Sequence, residues 1–148
     1  YTTAHTLSLH DALPIYILKI DELKVVTNTK PTEDTIKSML FGWQVLKHVK
    51  SNAIITVKDN TTVGIGAGQV SRIDAVDIAI SKSKTAIKGS ILCSDAFFPF
   101  RDSIDKISQY NINGVIQPGG SIKDNEVIDA CNEHNIPMVF TGRRCFKH

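Results

Sequence analysis

One segment of the sequence combines aromatic and ionic side chains in a way that could bind a charged, flat ligand. Residues 94–102, SDAFFPFRD, place three of the six phenylalanines beside two aspartates and an arginine. A buried strand would carry the rings without the charges, and for each ring taken alone a core position is the commoner outcome. Because Pro99 interrupts the alternation of side-chain directions, we expect at least one ring to face a crevice, where it could stack on a heterocycle.

Two glycine-rich segments follow predicted strands. In GIGAGQVSR, residues 64–72, Gln69 and Ser71 stand where a G-x-G-x-x-G dinucleotide loop would need its last glycine. Either the glycines let a ligand or another strand approach the backbone, before a helix N-terminus suited to an anion, or they form a plain tight turn. We expect Ser71, with Asp74 three residues later, to cap the helix that follows. In QPGGS, residues 117–121, we expect backbone N–H groups open to a ligand and a helix cap made by Ser121 with Asp124.

Other residues of types that bind metals or transfer protons have positions that their place in the fold already explains. The pattern C-x-x-H occurs at residues 131–134 and again at 145–148, and these are zinc-ligand types. Cys131 falls on the apolar side of a predicted helix and the second pair occupies the last four residues, so we expect no metal site. The H-x-E and P-C-x-x-C pattern of zinc deaminases is absent from the sequence, which argues against that enzyme class. Lys47 and His48 lie near a predicted helix end, where cations complement the dipole.

The elements that must position these segments alternate between helix and strand. Apolar residues at i, i+3, i+4 and i+7 predict an amphipathic helix, and β-branched runs around Asp59 and Asn60 predict a hairpin. The predicted order is helix 32–49, strands 53–57 and 62–66, a helix from 71, strand 91–93, helix 102–110, strand 115–116, helix 123–134 and strand 137–140. This alternation predicts an α/β fold with helices on both faces of a partly parallel sheet and a ligand crevice at the strands' carboxyl ends.

The composition is that of one globular domain. Of 148 residues, 42% are hydrophobic and 22% charged, and the net charge of +2 gives no reason to expect nucleic acid. No run has the length of a membrane span, and three cysteines suit a reducing compartment, so we expect a cytoplasmic protein without a membrane partner. Residues 1–15 resemble a translated sequencing adapter or a disordered tail; we therefore predict a leader at 1–15 and the domain at 16–148.

Five ordered motifs resemble the family of bifunctional purine biosynthesis proteins that joins aminoimidazole carboxamide ribonucleotide (AICAR) transformylase to IMP cyclohydrolase. The motifs are VKSNAI, GIGAGQVSR, SDAFFPFRD, IQPGGSIKDNEVIDA and RRCFKH. The resemblance covers about residues 19–148 and implies the carboxyl-terminal part of the transformylase domain, with a cytidine-deaminase-like fold lacking zinc. It implies transfer of a formyl group from 10-formyltetrahydrofolate, as co-substrate, to the exocyclic amine of AICAR, in a homodimer and without a metal.

The same resemblance implies roles for individual residues. The nucleotide-binding residues would be Asn52, Arg72, Phe97 and Arg144. The folate-binding residues would be the Ile73 backbone, Asp102, Ser121 and Ile122. Asn52 would also be catalytic, through hydrogen bonds at the reacting groups.

The catalytic lysine–histidine pair of the family lies in a motif upstream of anything present in this sequence. The family also builds its transformylase site across a homodimer. We therefore expect the isolated chain to bind substrates weakly and to catalyse no measurable formyl transfer. The alternative is a stand-alone nucleotide- or folate-binding module, for which the glycine-rich loops would suffice.

Overall fold

A computed structural model describes residues 18–145, which form a mixed six-stranded sheet and four α-helices. The strands are β1 (Lys24–Val25), β2 (Ile54–Lys58), β3 (Thr61–Gly66), β4 (Ile91–Ser94), β5 (Gly114–Gln117) and β6 (Met138–Phe140). The α-helices are α1 (Glu33–Leu46), α2 (Arg72–Ser83), α3 (Asp102–Ile107) and α4 (Asp124–Glu133). Short 3-10 helices lie at Ile20–Glu22, Lys84–Ile87 and Ser108–Tyr110. The predicted leader, residues 1–15, lies outside the described residues.

The sheet is partly parallel, as the alternation of elements predicted. Its strand order is β1-β6-β5-β4-β2-β3. The strands β4, β5 and β6 run parallel, whereas β2 is antiparallel to both β3 and β4, and β1 is antiparallel to β6. Ile54 pairs with Ser94 of β4 and with Gly66 of β3, so the start of β2 lies beside the ends of both neighbours.

The β2–β3 hairpin forms where the sequence predicted it. Asp59 and Asn60 have φ values of 51° and 55°. A two-residue hairpin turn of type I′ needs positive φ at both positions, and Asn and Asp tolerate that conformation better than most residues. The turn residues therefore fix the register of the hairpin.

Helices cover both faces of the sheet, which confirms the predicted layering. On one face α1 buries Met39, Trp43 and Leu46 against side chains of β2, β4, β5 and β6. On the other face α2, α3 and α4 enclose a second apolar cluster. All residues of β4 and β5 are buried, because strands covered on both faces have no side exposed to water.

Two features of the fold differ from the expectations. The strand β1 was not predicted, because two exposed residues are too short to show a periodic pattern. The glycine of β3 at position 66 serves helix packing rather than a ligand: a Cβ there would collide with the backbone carbonyl of Ala75 in α2. The close approach expected of this segment is therefore made by a neighbouring helix.

Candidate functional site

A cavity of about 350 Å³ lies at the carboxyl ends of β3 and β4. Its lining residues are Asn52, Val70, Ser71, Arg72, Ala96, Phe97, Pro99 and Arg144. They come from the segment before β2, the loop after β3 together with the first residue of α2, the loop after β4, and the segment after β6. The volume suits a small molecule. All four residues that the resemblance assigned to the nucleotide line this one cavity.

The three phenylalanines of SDAFFPFRD have different environments. Phe98 is fully buried in the core, Phe97 is half-buried and lines the cavity, and Phe100 is 56% exposed. The guanidinium carbon of Arg144 lies 5.5 Å from the centroid of the Phe97 ring, a cation–π distance. The expectation that at least one ring faces a crevice is confirmed.

Arg72 is almost fully buried at the first position of α2. Its Nη1 donates to the carboxylate of Asp95 at 2.5 Å and to the carbonyl oxygen of Ala53 at 3.0 Å. Its Nη2 donates to Oδ1 of Asn52 at 3.1 Å. A guanidinium carries five N–H donors, so these three contacts fix its plane and leave donors for a ligand in the cavity.

The side chain of Asn52 is oriented at both ends. Its Oδ1 accepts from Arg72, and its Nδ2 donates to the carbonyl oxygen of Val70 at 2.9 Å. The Asn52 backbone exchanges two hydrogen bonds of 3.3 Å with Gln69, and the Ser51–Asn52 peptide bond is cis. An amide nitrogen has two hydrogens, so a second donor remains beside the cavity.

Sequence reasoning did not single out Asp95, which is fully buried directly after β4. Its Oδ2 accepts from Oγ of Ser51 at 2.6 Å and from the N–H of Ala53 at 3.2 Å, while Oδ1 accepts from Arg72. A carboxylate following a strand with no polar face was the available signal, because a buried charge requires a cation and hydrogen-bond donors. The sequence does not say which cation.

The four residues assigned to the folate do not line the cavity. Ile73 is the second residue of α2, and Asp102 is exposed at the start of α3, where its Oδ1 accepts from the N–H of Ser103 at 2.8 Å. Ser121 and Ile122 follow β5, and Ile122 is 99% exposed. The structure therefore brings the nucleotide set together and leaves the folate set, on two helix starts and one loop, out of the cavity lining.

The expectation of open N–H groups in the QPGGS loop was wrong. The N–H of Gly119 donates to Oε1 of Gln117 at 3.2 Å. The N–H groups of Gly120 and Ser121 donate to the carboxylate of Asp124 at 2.8 and 3.0 Å. Gln117 and Asp124 therefore already use these three donors.

The two predicted serine caps had different outcomes. Ser71 caps α2, accepting from the N–H of Asp74 at 3.1 Å, as predicted. Ser121 does not cap α4, whose N-cap residue is Lys123; its Oγ instead accepts from the N–H of Lys123 at 3.0 Å. Asp74 donates its backbone N–H to the capping serine, whereas Asp124 uses its carboxylate to accept from the loop before it. The shared sequence pattern does not reveal this difference.

Cys131 and His134, the first of the two C-x-x-H pairs, have separate environments. Cys131 is buried, contacts Sδ of Met138 at 3.7 Å, and has its pKa raised to about 12 by burial. His134 lies on the surface with Nε2 2.9 Å from Asp105. His148 lies outside the described residues. Within residues 18–145, no three His, Cys, Asp or Glu side chains are grouped to hold a metal ion.

Lys47 and His48 follow the last residue of α1, as the sequence suggested. Lys47 is the C-cap residue and His48 is exposed. Burial lowers the pKa of Lys47, an effect partly opposed by the nearby thiol of Cys145. In the part of the chain that the structure describes, no helix has both the length and the apolar character to cross a bilayer.

Fold and cavity together define an α/β domain with a ligand-sized, arginine-lined cleft at the edge of its sheet. A profile of the AICARFT/IMPCHase bienzyme family matches residues 10–82. The chain is 55% identical over 131 residues to the bifunctional purine biosynthesis protein PurH of Persephonella marina, an alignment covering 86% of this chain and 25% of that protein. It is 60% identical over 125 residues to the protein of the same name from Dictyostelium discoideum, covering 84% and 23%.

The chain therefore belongs to the AICARFT/IMPCHase bienzyme family. It spans about a quarter of the length of the curated relatives it matches. Two solved forms of Acinetobacter baumannii RibD are similar in structure, with TM-scores of 0.49 and 0.44 at 12% and 11% identity. They cover 73% and 70% of this chain and 34% and 33% of theirs. A likeness of that size carries no weight for the function.

Proposed function

We propose that this chain supplies the nucleotide-binding wall of a formyltransferase site, which moves a formyl group from 10-formyltetrahydrofolate to AICAR in purine biosynthesis. The observation that carries the proposal is the convergence of Asn52, Arg72, Phe97 and Arg144 on one cavity in a member of the AICARFT/IMPCHase family. Residues 16–148 then belong to the transformylase domain. The IMP cyclohydrolase activity of the family is not assigned to these residues.

The lining of the cavity suits a flat, anionic nucleotide. Phe97 provides an aromatic wall for the aminoimidazole ring. Arg72 and Arg144 provide planar guanidinium groups, which can grip phosphate or carboxamide oxygens with paired hydrogen bonds. Because Arg72 is already fixed by protein oxygens, a ligand that binds it bears little of the cost of ordering that side chain.

Formyl transfer makes three demands on the site. The AICAR amine is a weak nucleophile, since its lone pair is delocalised, so it must be held against the formyl carbon, lose a proton, and have the developing oxyanion stabilised. Asn52 meets part of this demand, because its oriented amide offers a donor at the reacting groups. No lysine or histidine is among the described residues that line the cavity, so we expect this wall alone to be an incomplete site.

The folate would bind outside the cavity lining, through the Ile73 backbone, Asp102, Ser121 and Ile122. Asp102, the first residue of α3, and Ile122, in the loop after β5, both have exposed side chains. The N–H groups of residues 119–121 are occupied within their own loop, so they fit a folate poorly. Side chains, rather than these amides, would make the contacts. A homodimer in the cytoplasm would complete the site.

Calorimetric titration of the purified chain with AICAR tests this proposal. We expect weak, saturable binding of AICAR, weaker binding of the corresponding nucleoside, and no formyl transfer when 10-formyltetrahydrofolate is added. Titration with a folate analogue separates the alternative, since a stand-alone folate module would bind the analogue without AICAR. Absence of AICAR binding, or measurable formyl transfer by the isolated chain, would contradict the account.

A further inference from the structure

The carboxylate of Asp95 ties together segments that are distant along the chain. Its two oxygens hold Arg72 at the start of α2 and both Ser51 and Ala53 in the segment before β2. The residue is fully buried and does not itself line the cavity. Asp95 therefore has no direct contact with the cavity, but every hydrogen bond of its side chain ends on a segment that lines the cavity.

The backbone of Asp95 holds a further wall of the cavity. Its carbonyl oxygen accepts from the N–H of Cys145 at 2.9 Å. The residue before Cys145 is Arg144, whose guanidinium covers Phe97. Asp95 thus contacts the polypeptide on both sides of the cavity, once through its side chain and once through its backbone.

We propose that Asp95 is the positioning residue of this site, holding Arg72 so that its guanidinium and the amide of Asn52 face the nucleotide. This inference rests on the proposed function. An arginine side chain loses much rotamer freedom when it binds a ligand, and a buried carboxylate imposes that loss beforehand. A buried ion pair brings little net stability over apolar packing. Orientation of the guanidinium is the better explanation of the arrangement.

The first test replaces Asp95 by Asn, which keeps the shape and removes the charge. We expect the affinity for AICAR, measured by calorimetry on the full 148-residue chain, to fall about tenfold. Ser83→Ala is the matched control: it removes another buried polar contact, with Thr56 at 2.5 Å, but lies at the far end of α2 and away from the cavity. The control should lose stability and keep its affinity.

A double-mutant cycle distinguishes positioning from general destabilisation. Arg72→Lys keeps the positive charge but cannot donate to Ala53, Asp95 and Asn52 together, so it too should weaken AICAR binding about tenfold. The double variant should bind no more weakly than the weaker single variant, since both changes act through one guanidinium. Fully additive losses would overturn the proposal.

The remaining outcomes are separable. If the unmodified chain binds AICAR and folded D95N binds it within about twofold as well, the inference fails and the proposed function stands. If the unmodified chain does not bind AICAR, the proposed function fails and the inference falls with it. If D95N does not fold, R72K decides: retained fold with lost affinity supports the proposal, and affinity equal to that of the unmodified chain overturns it.

Discussion

Two arginine–carboxylate clusters in this molecule have similar geometry and very different access to water. At the cavity, Arg72 lies 2.5 Å from Asp95, with side-chain exposures of 7% and 0%. On the surface, Arg101 bridges α3 and α4, 2.9 Å from Asp105 and 2.5 Å from Glu133, with every side chain at least 32% exposed. Contact distance therefore does not tell the two clusters apart, whereas burial does.

The difference in burial gives the clusters different physical consequences. In water, an exposed ion pair contributes little to the free energy of unfolding and is screened by salt. In the interior, each charge depends on its partner, because removing one leaves the other without solvent or counter-charge. The surface cluster therefore links two helices with only a small effect on the stability of the fold. The buried cluster, by contrast, fixes the positions of side chains at the cavity.

The largest expected effect is that of Asp95→Ala on the stability of the fold. Loss of the carboxylate leaves Arg72 buried without a counter-charge and frees the N–H of Ala53. We expect the free energy of unfolding to fall by about 3–5 kcal/mol. Urea denaturation followed by circular dichroism measures it. A loss below about 1 kcal/mol, the usual range for an exposed pair, would remove the distinction between the clusters.

A smaller effect is expected at the surface cluster. Arg101→Ala removes both ion pairs of that arginine, yet we expect the thermal midpoint Tm to fall by less than about 4 °C. Raising the salt concentration should shrink the difference between variant and unmodified chain, because screening already weakens the pairs. A Tm loss that is larger and insensitive to salt would show that this cluster behaves as a buried one.

The smallest effect is a pH dependence at Asp105. The Arg101 hydrogen bond, with a further contribution from His134, lowers the pKa of this carboxyl from 3.8 to about 2, while Glu133 shares the same arginine and also has its pKa lowered. A depressed folded-state pKa favours the folded form above the unfolded pKa, so the stabilisation is present above about pH 4 and disappears as the pH falls towards 2.

Comparison of Asp105→Asn with the unmodified chain over that range measures this contribution. The stability difference between them should narrow steadily as the pH falls from about 4 to about 2. Solvent screening keeps the whole effect small, because Asp105 is 42% exposed. A difference that stays constant over this range would show that protonation of Asp105 does not govern the surface cluster.

Local signals in the sequence were sufficient for much of the fold. The periodicity of α1 and the Asp59–Asn60 turn act within a few residues, so their elements formed as predicted. The cavity residues Arg72 and Phe97 were found through the family resemblance rather than by periodicity. Local patterns carry no information about which distant loops meet at a sheet edge.

The two misses at these sites have different physical origins, one in contacts between distant segments and one within a single loop. Asp95 owes its importance to partners 23 and more residues away in sequence, at Arg72 and near Ser51. The prediction of open N–H groups in residues 117–121 failed because Asp124, which was expected to help cap a helix, accepts from the N–H groups of Gly120 and Ser121. Burial decides the first outcome, and a single sequence does not report burial directly. The second outcome is a local choice between two partners of one carboxylate, which the sequence pattern does not settle.

The most direct test of the central claim is nuclear magnetic resonance titration of the isotope-labelled chain with AICAR. The account predicts saturable shifts at Asn52, Arg72, Phe97 and Arg144. It predicts unchanged signals at the polar cleft on the opposite edge of the sheet, lined by residues such as Asn111 and His134. Shifts confined to that opposite cleft, or no shifts at the four cavity residues, would contradict the claim that this cavity binds the nucleotide.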